Sequence, residues 1–149
     1  MTDRSYIAQN AAATVGLREL AASLSEEDLA ADLGGGWNIS MAFAHLAFWD
    51  AWHVARWQHA ATSGDIAPAY VSGDVTDRNN DALVATWRAL PGASAVALAL
   101  EAAEVADNYV ADLEDDAVDE AVERGGPNWF ERFPHRRDHL DQIRRALGR

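Results

Sequence analysis

Histidine is the residue type in this chain best suited to chemistry, and it occurs at five positions: His45, His53, His59, His135 and His139. Two of them form the run His135-Arg136-Arg137-Asp138-His139, an i, i+4 pair. On a helix these two rings lie about 40° apart on one face, so both can reach one ion. Neutral imidazole is the commonest protein ligand for zinc and its neighbours. His45 is placed differently. On the helical wheel centred on it, Met41, Phe48, Trp49 and Trp52 all fall within about 60°. It therefore stands in the middle of the most apolar stripe of its helix. A buried imidazole needs a hydrogen-bond partner or a ligand. Two readings follow: a core histidine satisfied by a carbonyl or an acid, or a third ligand aimed across a helical bundle at His135 and His139. Bundle interiors are where facing helices build metal sites. On the last helix Phe133, Leu140, Ile143 and Leu147 share a face, and the histidine pair flanks it by roughly 80–120°. That is the edge of a core, where a site open at one end would lie.

Other residues have narrower possibilities. Arg136 projects toward the apolar side of its wheel, where it could clamp a substrate carboxylate; the alternative is a surface ion pair with one of the many acids. Arg132 lies one turn earlier. Asp138 reads as solvated, because neighbours at i+1 on a helix do not face each other. His53 and His59 read as structural or surface groups, His59 near a helix C-terminus that favours a charged imidazole. Trp49 and Trp52 read as core residues able to line a substrate pocket, and Trp87 as core. Trp129 and Tyr70 fall in or near loops that could cover a cavity mouth.

Composition narrows the chemistry further. The chain has 149 residues and a mass of 16.2 kDa, the size of one compact domain. It contains no cysteine, and all twelve of its basic residues are arginine. Disulfides, thiolate ligands, cysteine nucleophiles and lysine Schiff bases are excluded. A net charge of −12 repels phosphate backbones and anionic membranes, so neither nucleic acid nor membrane is an expected partner. The start Met1-Thr2-Asp3-Arg4 has no basic-then-apolar signal pattern, and the longest apolar run, Ala95 to Leu100, is too short to span a bilayer. The expected compartment is the cytoplasm.

The elements that must position these groups are helical. Alanine is abundant, β-branched residues are sparse, and prolines stand only at Pro68, Pro91, Pro127 and Pro134. A first helix is predicted from about Thr2 to Ala22, with Ile7, Ala11, Thr14, Leu17, Leu20 and Ala21 inward. Ser25 caps a short helical turn that Gly34-Gly35-Gly36 ends. Asn38 or Ser40 caps a long helix to about Ala61, and 62–75 reads as a loop. Thr76 or Asp77 opens the next helix, interrupted at Pro91-Gly92, with Ser94 capping its continuation through Tyr109. The acids from Glu114 to Glu120 read as a solvated turn or fraying end. After a break at Gly125-Gly126-Pro127-Asn128, a last helix starts at or just before Pro134 and runs to about Leu147. No repeat or linker interrupts the chain. The prediction is one all-α domain over 1–149, most simply a four-helix bundle with short extra pieces.

With those elements in place, the run Trp37-Asn38-Ile39-Ser40-Met41-Ala42-Phe43-Ala44-His45-Leu46 and the closing His135-x-x-x-His139-x-x-x-Ile143 resemble the DinB/YfiT-like superfamily. The resemblance covers length, helix order and the positions of three histidines. It implies a four-helix bundle in up-down-down-up order, a divalent metal held by His45, His135 and His139, and a homodimer. Characterised members include thiol-dependent S-transferases and mycothiol-dependent maleylpyruvate isomerases.

Three imidazoles leave open positions on a metal, as catalytic sites do. Zinc or nickel is the expected ion. A coordinating thiol loses its proton at neutral pH, and with no cysteine in the chain that thiol must be a small cosubstrate such as mycothiol or bacillithiol. The expected function is thiol transfer to an electrophilic small molecule. A non-catalytic protein that sequesters a metal or small molecule is the alternative, and a metal that merely pins two helices together is a third reading.

Overall fold

The computed structural model describes residues 1–64, 72–125 and 130–149. These form seven helices and one two-stranded hairpin, in the order α1 (Ser5–Ala22), α2 (Glu26–Ala30), β1 (Asp32–Gly34), β2 (Trp37–Asn38), α3 (Ile39–Ser63), α4 (Gly73–Ala89), α5 (Gly92–Ala111), α6 (Asp115–Gly125) and α7 (Phe133–Ala146). The protein is all-α in class. Among the described residues, no helix is long and apolar enough to cross a membrane.

Helix α3 is the central element. Every residue from Ile39 to Leu46 is buried, so its first two turns are covered on all sides. Asn38 caps it by accepting the Met41 N–H at 2.9 Å, and Gly64 ends it in the left-handed region at φ +68°. Its most extensive partner is α5. That face of α5 carries Ala95, Ala99, Ala103 and Ala106, all buried, and small side chains at this spacing let two helices approach closely. Helix α1 packs on α5 and α7, and α7 also touches α3.

The glycine run does more than end a turn. Gly34, Gly35 and Gly36 have φ of +86°, +64° and +82°, a left-handed stretch open to residues without a Cβ. It folds the chain back so that β1 pairs antiparallel with β2, Asp32 opposite Asn38 and Gly34 opposite Trp37. The hairpin delivers Trp37 beside α3, with its ring 5.2 Å from both His45 and Trp87.

Several expectations need correction. In α1 the inward residues are Tyr6, Asn10, Ala13, Thr14, Leu17 and Leu20, so its N-terminal half is rotated from the predicted face. The cause is polar anchoring. The Tyr6 hydroxyl donates to the Val110 carbonyl, and Asn10 is wholly buried among polar partners. Helix α4 begins at Gly73, capped by Ser72, not at Thr76 or Asp77. Helix α5 begins at Gly92 behind Pro91, so Ser94 is not its cap. The acidic stretch is a helix, α6, because Val118 and Ala121 bury themselves against Tyr6, Trp57, Val110 and Phe130. The predicted loop and Gly-Pro break fall largely outside the described residues, as do Tyr70 and Trp129.

Helix α7 starts with Pro134 in its first turn and has no side-chain cap of its own. The cap comes from α1. The Asn10 Oδ1 accepts the N–H groups of Arg132 and Phe133, each at 2.9 Å, while its Nδ2 donates to the Phe130 carbonyl at 2.8 Å. One buried amide thus satisfies three backbone groups at the helix start.

Candidate metal centre

Helix α3 supplies His45 and helix α7 supplies His135 and His139. One turn of helix separates the last two, so both face α3 where His45 emerges from the apolar stripe. Ring centroids lie 4.9 Å apart for His45–His135, 4.8 Å for His45–His139 and 4.9 Å for His135–His139. One nitrogen from each ring lies within 4.8 Å of the others, so the three together could hold a metal ion. The expected trio is therefore assembled.

Each ring has a different outer partner. His139 Nδ1 donates to Gln142 Oε1 at 3.0 Å, which leaves Nε2 with its lone pair. His135 Nδ1 lies 3.0 Å from an Arg132 guanidinium nitrogen, and its Nε2 is 2.9 Å from His45 Nε2. His45 Nδ1 is buried with no hydrogen-bond partner. Trp37, Trp87 and Trp49 set their rings edge-on around His45, at 5.2, 5.3 and 6.4 Å.

Burial keeps these rings neutral. It is the main cause holding His45 down at about 3, with His139 and Arg132 adding repulsion. His135 is pushed well below the usual histidine range by burial and then by Arg132, and His139 is lowered by burial against the opposing pull of Gln142. Neutral imidazoles carry the lone pairs that ligation requires.

Around the trio opens a cavity of about 650 Å³, a volume typical of small-molecule sites. Trp49 and Trp52 wall it on α3, and Thr76 and Asn80 face in from α4. Trp49 Nε1 donates to Asn80 Oδ1 at 3.0 Å, which fastens the two helices at the rim. The Arg56 guanidinium lies 5.1 Å over the Trp52 ring and also lines the cavity. Among the described residues, no carboxylate lines it. Trp49 and Trp52 are thus pocket walls as well as packing, whereas Trp87 is core.

Arg136 is not part of this lining. Its guanidinium is fully buried and spent on the protein: Nε on Asp50 Oδ2 at 3.0 Å, Nη1 on Asp107 Oδ1 at 2.7 Å and on Thr14 Oγ1 at 2.9 Å, and Nη2 on the Ala103 carbonyl at 3.3 Å. The wheel placed it inward, as the structure does. Its partners, however, are acids of α3 and α5, so it is neither a substrate clamp nor a surface ion pair. Arg132, like Arg56, does reach the cavity. Its Nε donates to Asp50 Oδ1 at 2.7 Å and its Nη1 to His53 Nε2 at 2.9 Å. His53 is buried and lines the cavity, with its pKa pushed down to about 2 by burial and then by Arg132. His59 and Asp138 are exposed, as expected.

Sequence reasoning gave no role to Arg132, Gln142 or Asp50 and placed Asn80 in no site. A spacing signal did exist for three of them. Arg132 precedes His135 by three residues, Gln142 follows His139 by three, and Asp50 precedes His53 by three, all facing pairs on a helix. No protein-family profile, curated protein or solved structure matches the chain.

Proposed function

We propose that the chain is a metal-dependent enzyme. In this reading His45, His135 and His139 hold a divalent ion, and the reaction transfers an external low-molecular-weight thiol, such as mycothiol or bacillithiol, to an electrophilic small molecule in the cavity. The observation that carries it is the convergence of three neutral imidazoles on one point beside that cavity. The donor set suits the ion. Three nitrogens leave coordination positions open, and all three rings line the cavity from which a ligand would arrive. Gln142 supplies the outer hydrogen bond that orients a ligating histidine. Zinc or nickel, when bound, supplies the Lewis acidity that deprotonates a thiol at neutral pH.

The chain's own residues would do the rest. Trp49 and Trp52 exclude water and offer flat faces to a substrate, while Asn80 and Thr76 place hydrogen-bonding groups on the facing wall. The reading extends to the architecture: α1, α3, α5 and α7 as a DinB-like four-helix bundle of up-down-down-up order, assembled as a homodimer. Its support is that α3 packs on α5, α5 on α1, α1 on α7 and α7 on α3, a closed ring of four.

The test is turnover. Chelator-stripped protein reloaded with Zn²⁺ or Ni²⁺ is expected to form thioether product from a small thiol and a model electrophile. His45→Ala should lose metal and turnover together. Full activity in that variant would overturn the mechanism, and metal binding without turnover would leave the non-catalytic binding protein.

A further inference from the structure

A guanidinium stands where a ligating histidine ordinarily has an acceptor. A histidine that binds metal through Nε2 carries its ring hydrogen on Nδ1 and donates it to a carboxylate, a carbonyl or water. His139 follows that rule toward Gln142. His135 does not. Its Nδ1 lies 3.0 Å from Arg132 Nη2, and arginine has five N–H donors and no acceptor. Arg132 must therefore donate, and His135 Nδ1 is the lone pair. The neutral ring then bears its hydrogen on Nε2, which faces His45 Nε2 at 2.9 Å. His135 donates to His45, and two of the three atoms an ion would use are occupied with each other.

Arg132 is held in this place. Its side chain is 7% exposed, with Nε on Asp50 Oδ1 at 2.7 Å and Nη1 on His53 Nε2 at 2.9 Å. The donation to His135 belongs to a buried fork with every branch engaged.

We propose that Arg132 is a lock on the metal site, a positioning residue that keeps His135 in its Nε2–H form and bonded to His45 until an ion enters. This rests on reading the trio as a metal site. Loading requires the guanidinium to give up Nδ1 and the ring hydrogen to move from Nε2 to Nδ1. The ring is neutral before and after, and Arg132 stays charged, so no proton is gained or lost. Opening costs the same for every ion, whereas nitrogen affinity differs among them. The lock therefore weakens binding of every ion by one factor and leaves their order to the nitrogen donors, with Zn²⁺, Ni²⁺ and Cu²⁺ above Mn²⁺.

Ring-nitrogen NMR on metal-free wild-type protein tests the lock directly. His135 is expected to show an unprotonated Nδ1 and a protonated Nε2, and Zn²⁺ should move the hydrogen to Nδ1. A protonated Nδ1 in the metal-free protein overturns the proposal. Zn²⁺ titration gives an independent reading. Arg132→Gln is expected to bind Zn²⁺ tighter than wild type by about ten-fold, the size of outer-partner effects on histidine ligands. Arg132→Lys keeps a cation beside Asp50 but cannot serve three partners, and the same direction is expected there if the glutamine variant does not fold. Equal affinity in wild type and variants, with binding still lost in His45→Ala, overturns the lock and leaves the metal site standing. Binding that does not depend on His45 in any of them overturns both.

Discussion

The Asp50–Arg132–Arg136–Asp107 cluster joins α7 to α3 and α5, the partly buried His45–His135–His139 trio joins α7 to α3, and the two meet at Arg132. The first closes its polar groups on each other. Asp50 accepts from both arginines, Asp107 accepts from Arg136 and Thr14, and two cations meet two anions. The second is less complete, with His45 Nδ1 buried and without a hydrogen-bond partner among the described residues. Complete pairing is how a fold makes buried charge tolerable, and an unpaired buried nitrogen costs stability with no structural return. The contrast separates a group that holds the helices together from a group that could hold a metal ion.

Acid should break the comparison most widely, because it acts on several rings at once. In the unfolded chain these histidines bind protons from about pH 6.5 downward. In the folded protein His45 stays neutral to about 3 and His53 to about 2, with His135 and His139 also lowered. Their share of stability is therefore complete above about pH 6.5 and is lost as the pH falls toward those folded values. Urea midpoints of metal-free protein should fall between pH 7 and pH 5; a flat profile there would contradict neutral buried rings.

Next in size is Asp50→Ala. It leaves two buried guanidinium groups with no shared acid, and a broken buried pair costs about 3–5 kcal/mol. Denaturant unfolding of metal-free protein measures it, and a loss below 1 kcal/mol, about the size of a surface pair, would show that the cluster is not the clamp described. The smallest effect sharpens the other side. Gln142→Ala removes only the acceptor on His139 Nδ1, so Zn²⁺ affinity should fall by about ten-fold while the unfolding midpoint of metal-free protein barely moves. An unchanged affinity would mean that His139 is not oriented through that bond.

The three histidines were legible because each signal is local. The pair is one turn apart on a single helix, and His45 interrupts an apolar stripe that can be read on a wheel. Helix α6 was hidden by its acids, whose density masks the spacing of Val118 and Ala121. Arg136 was legible as inward but not in its purpose, because Asp50 and Asp107 come from two other helices. Asn10 was invisible for the same reason. A cap donated from 122 residues away leaves no pattern in the sequence around either partner.

That borrowed cap has a mechanical consequence. The helix bearing two of the three imidazoles is tethered at its beginning to α1, whereas the third imidazole belongs to α3. Sliding or tilting α1 would drag Phe133 and the turn behind it, altering the spacing of His135 from His45 without touching either ring. The geometry of the centre is thus answerable to a segment that contributes no atom to it, and a substitution on the outer side of α1 could retune it from a distance.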